Sequence, residues 1–134
     1  LLDRTPEQGM LPYCEEGGIA FIARGPLATG KLSGKYTKDV RCDSEDIRNR
    51  WLDDENRKTF EREMETVERL KSVAAQLGIT LPQLAIRFVL NHKTVSIAIP
   101  GAKNHSQLEG NVAAANLPPL TPAEIAAVDR ALAS

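Results

Sequence analysis

Cysteine and histidine are nearly absent from these 134 residues: Cys14, Cys42, His92 and His105 are the whole supply. They are scattered without ligand spacing, so a metal centre is not expected. Neither charge sign is in excess. Seventeen basic residues against eighteen acidic ones leave a formal net charge of -1, which argues against nucleic acid or an anionic membrane as the main partner. No apolar run approaches membrane-spanning length, and no basic-apolar-small leader opens the sequence. Repeats and low-complexity tracts are missing as well. With 42% hydrophobic and 26% charged residues, the expectation is one globular α/β domain in a soluble, reducing, cytoplasmic setting whose partners are small molecules or proteins.

What is there is organised around Val95 to Asn111. Val95 to Ile99 is a β-branched run that reads as a buried strand, and Pro100-Gly101 ends it. A helix follows from Asn104 or Ser106, where Ser106-x-x-Glu109 offers a capping box. Lys103 stands just before that helix start, so a cation and the free N–H groups of a helix terminus converge on one small volume. An anion such as phosphate suits that place, although many such joints bind nothing.

Upstream, Leu1 to Arg4 reads as a strand end. Thr5-Pro6-Glu7-Gln8 then signals a helix from Pro6 to about Glu16, with Met10, Leu11 and Cys14 on one face and Pro12 as a potential break. Ile19 to Ala23 is a nearly continuous apolar strand, as in a parallel sheet buried on both faces. It leads into Arg24-Gly25-Pro26-Leu27-Ala28-Thr29-Gly30-Lys31, a small-residue loop bracketed by cations that a ligand could approach closely. Residues 33–55 form a long polar insertion in which Trp51 either covers a ligand or anchors the loop.

Phe60, Met64, Val67, Leu70, Val73, Ala74 and Leu77 share one helical face over residues 55–77. Gly78 stops that helix, and Thr80-x-x-Gln83 caps a second, largely apolar one running to about Asn91, with His92 at its C-terminal end. Thr121-x-x-Glu124 caps a final helix over 121–133 whose Ile125, Val128 and Leu132 face inward. The succession reads as consecutive β/α units.

G-I-A-F-I-A-R-G-P-L-A-T-G-K-L-S-G-K-Y, L-P-Q-L-A-I-R-F-V-L and I-P-G-A-K-N-H-S-Q-L-E-G-N-V-A-A followed by L-T-P-A-E-I resemble the carboxy-terminal part of the aldo-keto reductases, in order and over essentially the whole chain. The resemblance implies the C-terminal portion of a (β/α)8 TIM barrel, namely the end of strand 6 and strands 7 and 8 with their helices. It further implies NADPH as cofactor and reduction of small aldehydes or ketones. Gly25, Leu27 and Thr29 then match the loop that holds the cofactor pyrophosphate, between Arg24 and Lys31. Gly101, Ala102 and Lys103 match the turn that meets the 2′-phosphate, and Gln107 and Asn111 match residues that grip the adenosine end. Arg24 stands where many members place an aromatic ring against the nicotinamide. Gly110 replaces a common glutamate that helps to hold the adenine.

The family's tyrosine, lysine, aspartate and histidine tetrad has no counterpart here, since Tyr13 lies on a helix and Tyr36 in the insertion. A complete barrel takes about 250 residues. The expectation is therefore a single partial domain over 1–134 that requires the amino-terminal half of the barrel or self-associates. Two alternatives remain: a cofactor-binding regulatory subunit resembling potassium-channel β subunits, and an unrelated phosphate-binding domain.

Overall fold

The structure, a computed structural model, describes residues 1–43 and 45–133. Ser44, within the polar 33–55 stretch, and Ser134, the last residue of the expected domain, lie outside the described residues.

Two strands, β1 (Phe21–Arg24) and β2 (Val95–Ile99), pair in parallel, with Ile22 opposite Ile97 and Arg24 opposite Ile99. Parallel partners require a long crossover. Here it carries two helices, α2 (Asp54–Gln76) and α3 (Leu81–Leu90), whose axes differ by 87°. Helix α1 (Met10–Glu16) precedes the sheet, and α4 (His105–Ala115) and α5 (Pro122–Ala133) follow it.

The core lies mainly between helices. On α2, Phe60, Met64, Val67 and Leu70 repeat at helical spacing and are at most 2% exposed. They share one cluster with Leu81, Leu84, Ala85 and Phe88 of α3 and with Val128 and Ala131 of α5. The starts of α3 and α5 carry reciprocal side-chain caps. The Thr80 side chain accepts from the Gln83 N–H while Gln83 Oε1 accepts from the Thr80 N–H at 2.9 Å. Thr121 and Glu124 repeat the device before α5. At the far end of α3, the Asn91 side chain accepts from the Leu120 N–H at 2.8 Å and donates to its carbonyl, fastening the α4–α5 connector.

Several expectations need correction. Leu1 to Arg4 joins no strand, because it finds no ladder partner among the described residues. The first helical stretch breaks at Gly9 (φ -156°), leaving a 3-10 turn over Thr5–Gln8. Pro12 does not break it, since in the first turn of α1 its missing N–H would have had no intrahelical partner. Thr5 caps nothing with its side chain, and its own N–H goes to Asp3 Oδ1. Met10 is 57% exposed, whereas Leu11 and Cys14 are buried.

Strand β1 is shorter than the apolar run suggested, and neither strand is covered on both faces. Ile22, Ile97 and Ile99 remain 54%, 51% and 54% exposed. Helix α4 begins at His105 behind Asn104, which caps it by accepting from the Gln107 N–H at 2.9 Å, so the Ser106-x-x-Glu109 box is displaced. His92 faces Glu7 at 3.5 Å and the edge of Phe88.

Two outcomes follow for the full-length protein. Phe60→Ala should lower the unfolding free energy by about 3 to 5 kcal/mol, as for other buried phenylalanines, read from urea denaturation. Glu124 is held below the usual carboxylate range by hydrogen bonds from the Thr121 N–H and hydroxyl. Its contribution is present above the ordinary carboxylate pKa of about 4.3 and is lost as pH falls through the lowered folded value. Glu124→Gln should therefore lower stability in the neutral region and flatten the acid limb of the stability–pH curve, the two curves converging at low pH.

Candidate functional site

Strands β1 and β2 end side by side, because Arg24 and Ile99 are register partners and neighbouring strands lie about 4.8 Å apart. The loops leaving these carboxyl ends, Gly25 onward and Pro100 onward, therefore form the two lips of one crevice. Such crevices are where parallel α/β sheets bind ligands.

The first lip is shaped by left-handed backbone. Gly25 and Gly30 have φ of 67° and 101°, and Ala28 and Thr29, which carry Cβ atoms, have 49° and 57°. Non-glycine residues rarely adopt this region, and they cluster at functional sites when they do. The turn is held from within by Ala28 N–H to Gly25 O and Gly30 N–H to Leu27 O, both 2.9 Å. Gly25 has open space where a Cβ would stand. Thr29 is exposed and Leu27 half-buried. Arg24, at the strand end, is exposed on the same face as Ile22 and Ile99.

Lys31 is occupied on its own side of the loop. Its ammonium pairs with Glu63 of α2 and stands 5.6 Å from the centre of the Trp51 ring. Trp51 is buried, stacked on Phe60 at 5.3 Å between centroids with 14° between planes, and Tyr36 meets its face edge-on at 5.3 Å. The indole thus anchors the 33–55 segment to α2, the second of its two expected uses. A 450 Å³ recess lies beside it, lined by Thr29, Lys31, Arg50 and Glu63 among others.

The second lip is Gly101-Ala102-Lys103, exposed throughout. Gly101 has nothing near the place a Cβ would occupy, and no carboxylate among the described residues pairs with Lys103. Two side chains of α4 fold back onto this turn. Gln107 Oε1 accepts from the Lys103 N–H at 2.8 Å, and Asn111 Nδ2 donates to the Gly101 carbonyl at 3.2 Å. Asn111 is 7% exposed.

Of the ten residues singled out in the sequence, Arg24, Gly25, Leu27, Thr29 and Lys31 belong to the lip after β1 and Gly101, Ala102, Lys103, Gln107 and Asn111 to the one after β2, with Lys31 turned toward α2 and the Asn111 amide toward backbone. The left-handed Ala28 was not foreseen and carried no signal, whereas Asn104, one of the two helix starts read from the sequence, is the cap, in line with the preference of asparagine for that position.

The chemistry of this set is binding rather than bond-making. Partial burial, then Asp46 and Asp43, push the Cys42 thiol up, away from the reactive thiolate. Among the described residues, no three His, Cys, Asp or Glu side chains cluster as metal ligands. The open backbone at Gly25 and Gly101 and the lysine beside a helix N-terminus fit an elongated ligand with phosphate groups.

The sequence profile of the Aldo/keto reductase family matches residues 1–133. A probable voltage-gated potassium channel subunit beta of Arabidopsis thaliana is 34% identical over 130 residues, which are 96% of this chain and 40% of that protein. An NADH-specific methylglyoxal reductase of Escherichia coli is 29% identical over 117 residues, 87% of this chain and 35% of the enzyme. Among solved structures, the glycerol dehydrogenase AKR11B4 of Gluconobacter oxydans superposes with a TM-score of 0.84 at 32% identity, over 98% of this chain and 39% of that one. The chain spans about two fifths of the length of these proteins.

The left-handed lip has a direct test. At Gly25, asparagine tolerates positive φ whereas a β-branched residue does not. Gly25→Val should cost about 1 to 2 kcal/mol more than Gly25→Asn, compared by thermal unfolding of the full-length variants.

Proposed function

Because the chain belongs to the aldo/keto reductase family and has the α/β fold of a carboxy-terminal portion of its (β/α)8 barrel, we propose that it supplies the cofactor-binding loops of an NADPH-dependent reductase. The substrates would be small aldehydes or ketones. One observation carries this reading: two loops side by side at adjacent strand ends, one built on left-handed backbone at Gly25 and the other presenting Lys103 at the start of α4.

The residues suit the cofactor from end to end. Backbone around Gly25, Leu27 and Thr29 lets a pyrophosphate approach, because the glycine leaves open space where a side chain would stand. Gly101 and Ala102 bring backbone close to the adenosine end, with Gln107 and Asn111 behind them. Lys103 would meet the 2′-phosphate, and Arg24 would face the nicotinamide, on which a planar guanidinium can stack. The dinucleotide supplies the hydride chemistry, and this chain binds and orients it. Neither Tyr13, 69% exposed on α1, nor Tyr36, packed against Trp51 and lying against Gly30 of the first lip, matches the proton donor, a role this reading leaves to the rest of the barrel.

The uncovered face of Ile22, Ile97 and Ile99 is assigned to contact with the rest of a barrel or with a second copy, since three partly exposed isoleucines on one sheet face favour burial. A cytoplasmic setting goes with two unpaired thiols and with the finding that no single helix among the described residues is long and apolar enough to cross a membrane.

A second reading, a cofactor-binding regulatory subunit, draws on the 34% identity to the plant channel subunit. It uses the same crevice and differs only in what the cofactor is for. Preference for the phosphorylated cofactor rests on Lys103 alone, and one relative is named as NADH-specific.

Lys103→Ala in the full-length protein tests the assignment. A hydrogen bond to a charged group is worth about 1.5 to 3 kcal/mol. NADPH should bind about tenfold to a hundredfold more weakly and NADH almost unchanged, measured by fluorescence titration. An equal loss for both would remove the 2′-phosphate from this site.

A further inference from the structure

We propose that the guanidinium of Arg24 sets which oxidation state of the cofactor this site holds, favouring the reduced, uncharged nicotinamide over the oxidised, cationic one. The proposal rests on the reading of the crevice as a dinucleotide site with Arg24 toward the nicotinamide. It concerns the charge of that residue, where the reading itself concerns only stacking.

Arg24 ends β1 opposite Ile99, and Ile22, on the same strand, stands opposite Ile97. Side chains two apart on a strand share a face. The exposed Arg24 therefore stands at the rim of a floor of three isoleucines, each about half exposed. No carboxylate among the described residues pairs with it. Acidic groups that border the same 260 Å³ recess are engaged elsewhere: Glu7 accepts from Arg4 Nε at 2.8 Å, and Asp3 accepts from the Thr5 N–H at 2.9 Å. Lys31, at the other end of the loop, differs in being paired with Glu63. Arg24 thus keeps a whole positive charge at the strand end, and an arginine cannot shed it by losing a proton.

The chemistry of the ligand makes that charge selective. Both forms of the dinucleotide share the adenosine, ribose and phosphate parts and differ by one hydride on the nicotinamide ring, which is neutral when reduced and carries a positive charge when oxidised. A contact with any shared part acts on both forms alike. A cation beside the ring does not, because stacking serves both forms while repulsion between like charges acts on the oxidised one alone. An apolar floor sharpens the difference, since charges covered from water are screened little. An aromatic ring in the same place has the opposite preference, as its face attracts a cation. The site therefore takes up the hydride-carrying form and releases the spent one.

Isothermal titration calorimetry of the full-length protein supplies the test. Dissociation constants are measured for NADPH, NADP+ and 2′-phospho-ADP-ribose, which lacks the nicotinamide, with wild type, Arg24→Lys, Arg24→Met and Arg24→Trp. Wild type should hold NADPH about tenfold more tightly than NADP+, and Arg24→Lys, which keeps the charge without the plane, should retain most of that ratio. Arg24→Met should lower the ratio about tenfold, chiefly by tightening NADP+, and Arg24→Trp should lower it further. Affinity for 2′-phospho-ADP-ribose should change less than about twofold throughout, which also reports an intact fold. Should Arg24→Trp fail to fold, Arg24→Met and Arg24→Lys carry the test.

A ratio left within about twofold of wild type by Arg24→Met overturns the proposal, as does a loss equal for NADPH and NADP+. An effect of Arg24→Met shared by 2′-phospho-ADP-ribose would instead put the guanidinium at the phosphates and remove the reading of its place. Wild-type protein that binds none of the three ligands would remove the dinucleotide reading altogether.

Discussion

The rest of this structure depends on the parallel pairing of β1 with β2. Parallel strands cannot be joined by a tight turn, so the chain must leave β1, cross over and return, and α2 and α3 occupy that crossover. The same pairing sets Arg24 opposite Ile99 and thereby puts the ends of two distant segments side by side. The crevice follows from the register. Its lips then differ in what they can offer: left-handed backbone with little side chain on one, a cation next to a capped helix start on the other.

Much of this was legible in the residues, wherever the physics is local. The spacing of Phe60, Met64, Val67 and Leu70 marks a buried helix face because 3.6-residue periodicity is a property of the segment itself. Thr80 with Gln83 and Thr121 with Glu124 fix helix starts for the same reason. Val95 to Ile99 is bounded as read because Pro100 cannot donate to a ladder.

What escaped is decided at a distance. Pro12 looked like the breaker and Gly9 was, since a proline in a first turn costs no hydrogen bond. Ser106 and Asn104 both offered a cap, and Asn104 prevails with Gln107 bonded to the turn before it. The burial of the strands was overstated, because continuous apolar character says that both faces suit cover without saying what supplies it. At the crevice the positions were readable and the directions were not. Lys31 belongs to the loop by sequence, yet Glu63 and the Trp51 ring hold its ammonium toward α2.

The ladder also bears on the order in which the molecule can form. Phe21 and Val95 are register partners roughly 70 positions apart, and closing a loop of that length costs about 4 kcal/mol of chain entropy before any contact repays it. By comparison, α2 and α3 are neighbours along the chain and bury Phe60, Leu70 and Leu84 in one cluster, so they can condense early. The crevice is then among the last features to assemble, and a partly folded chain can possess its helical core while lacking the crevice. A ligand seated across the two lips would stabilise only the finished arrangement, by mass action.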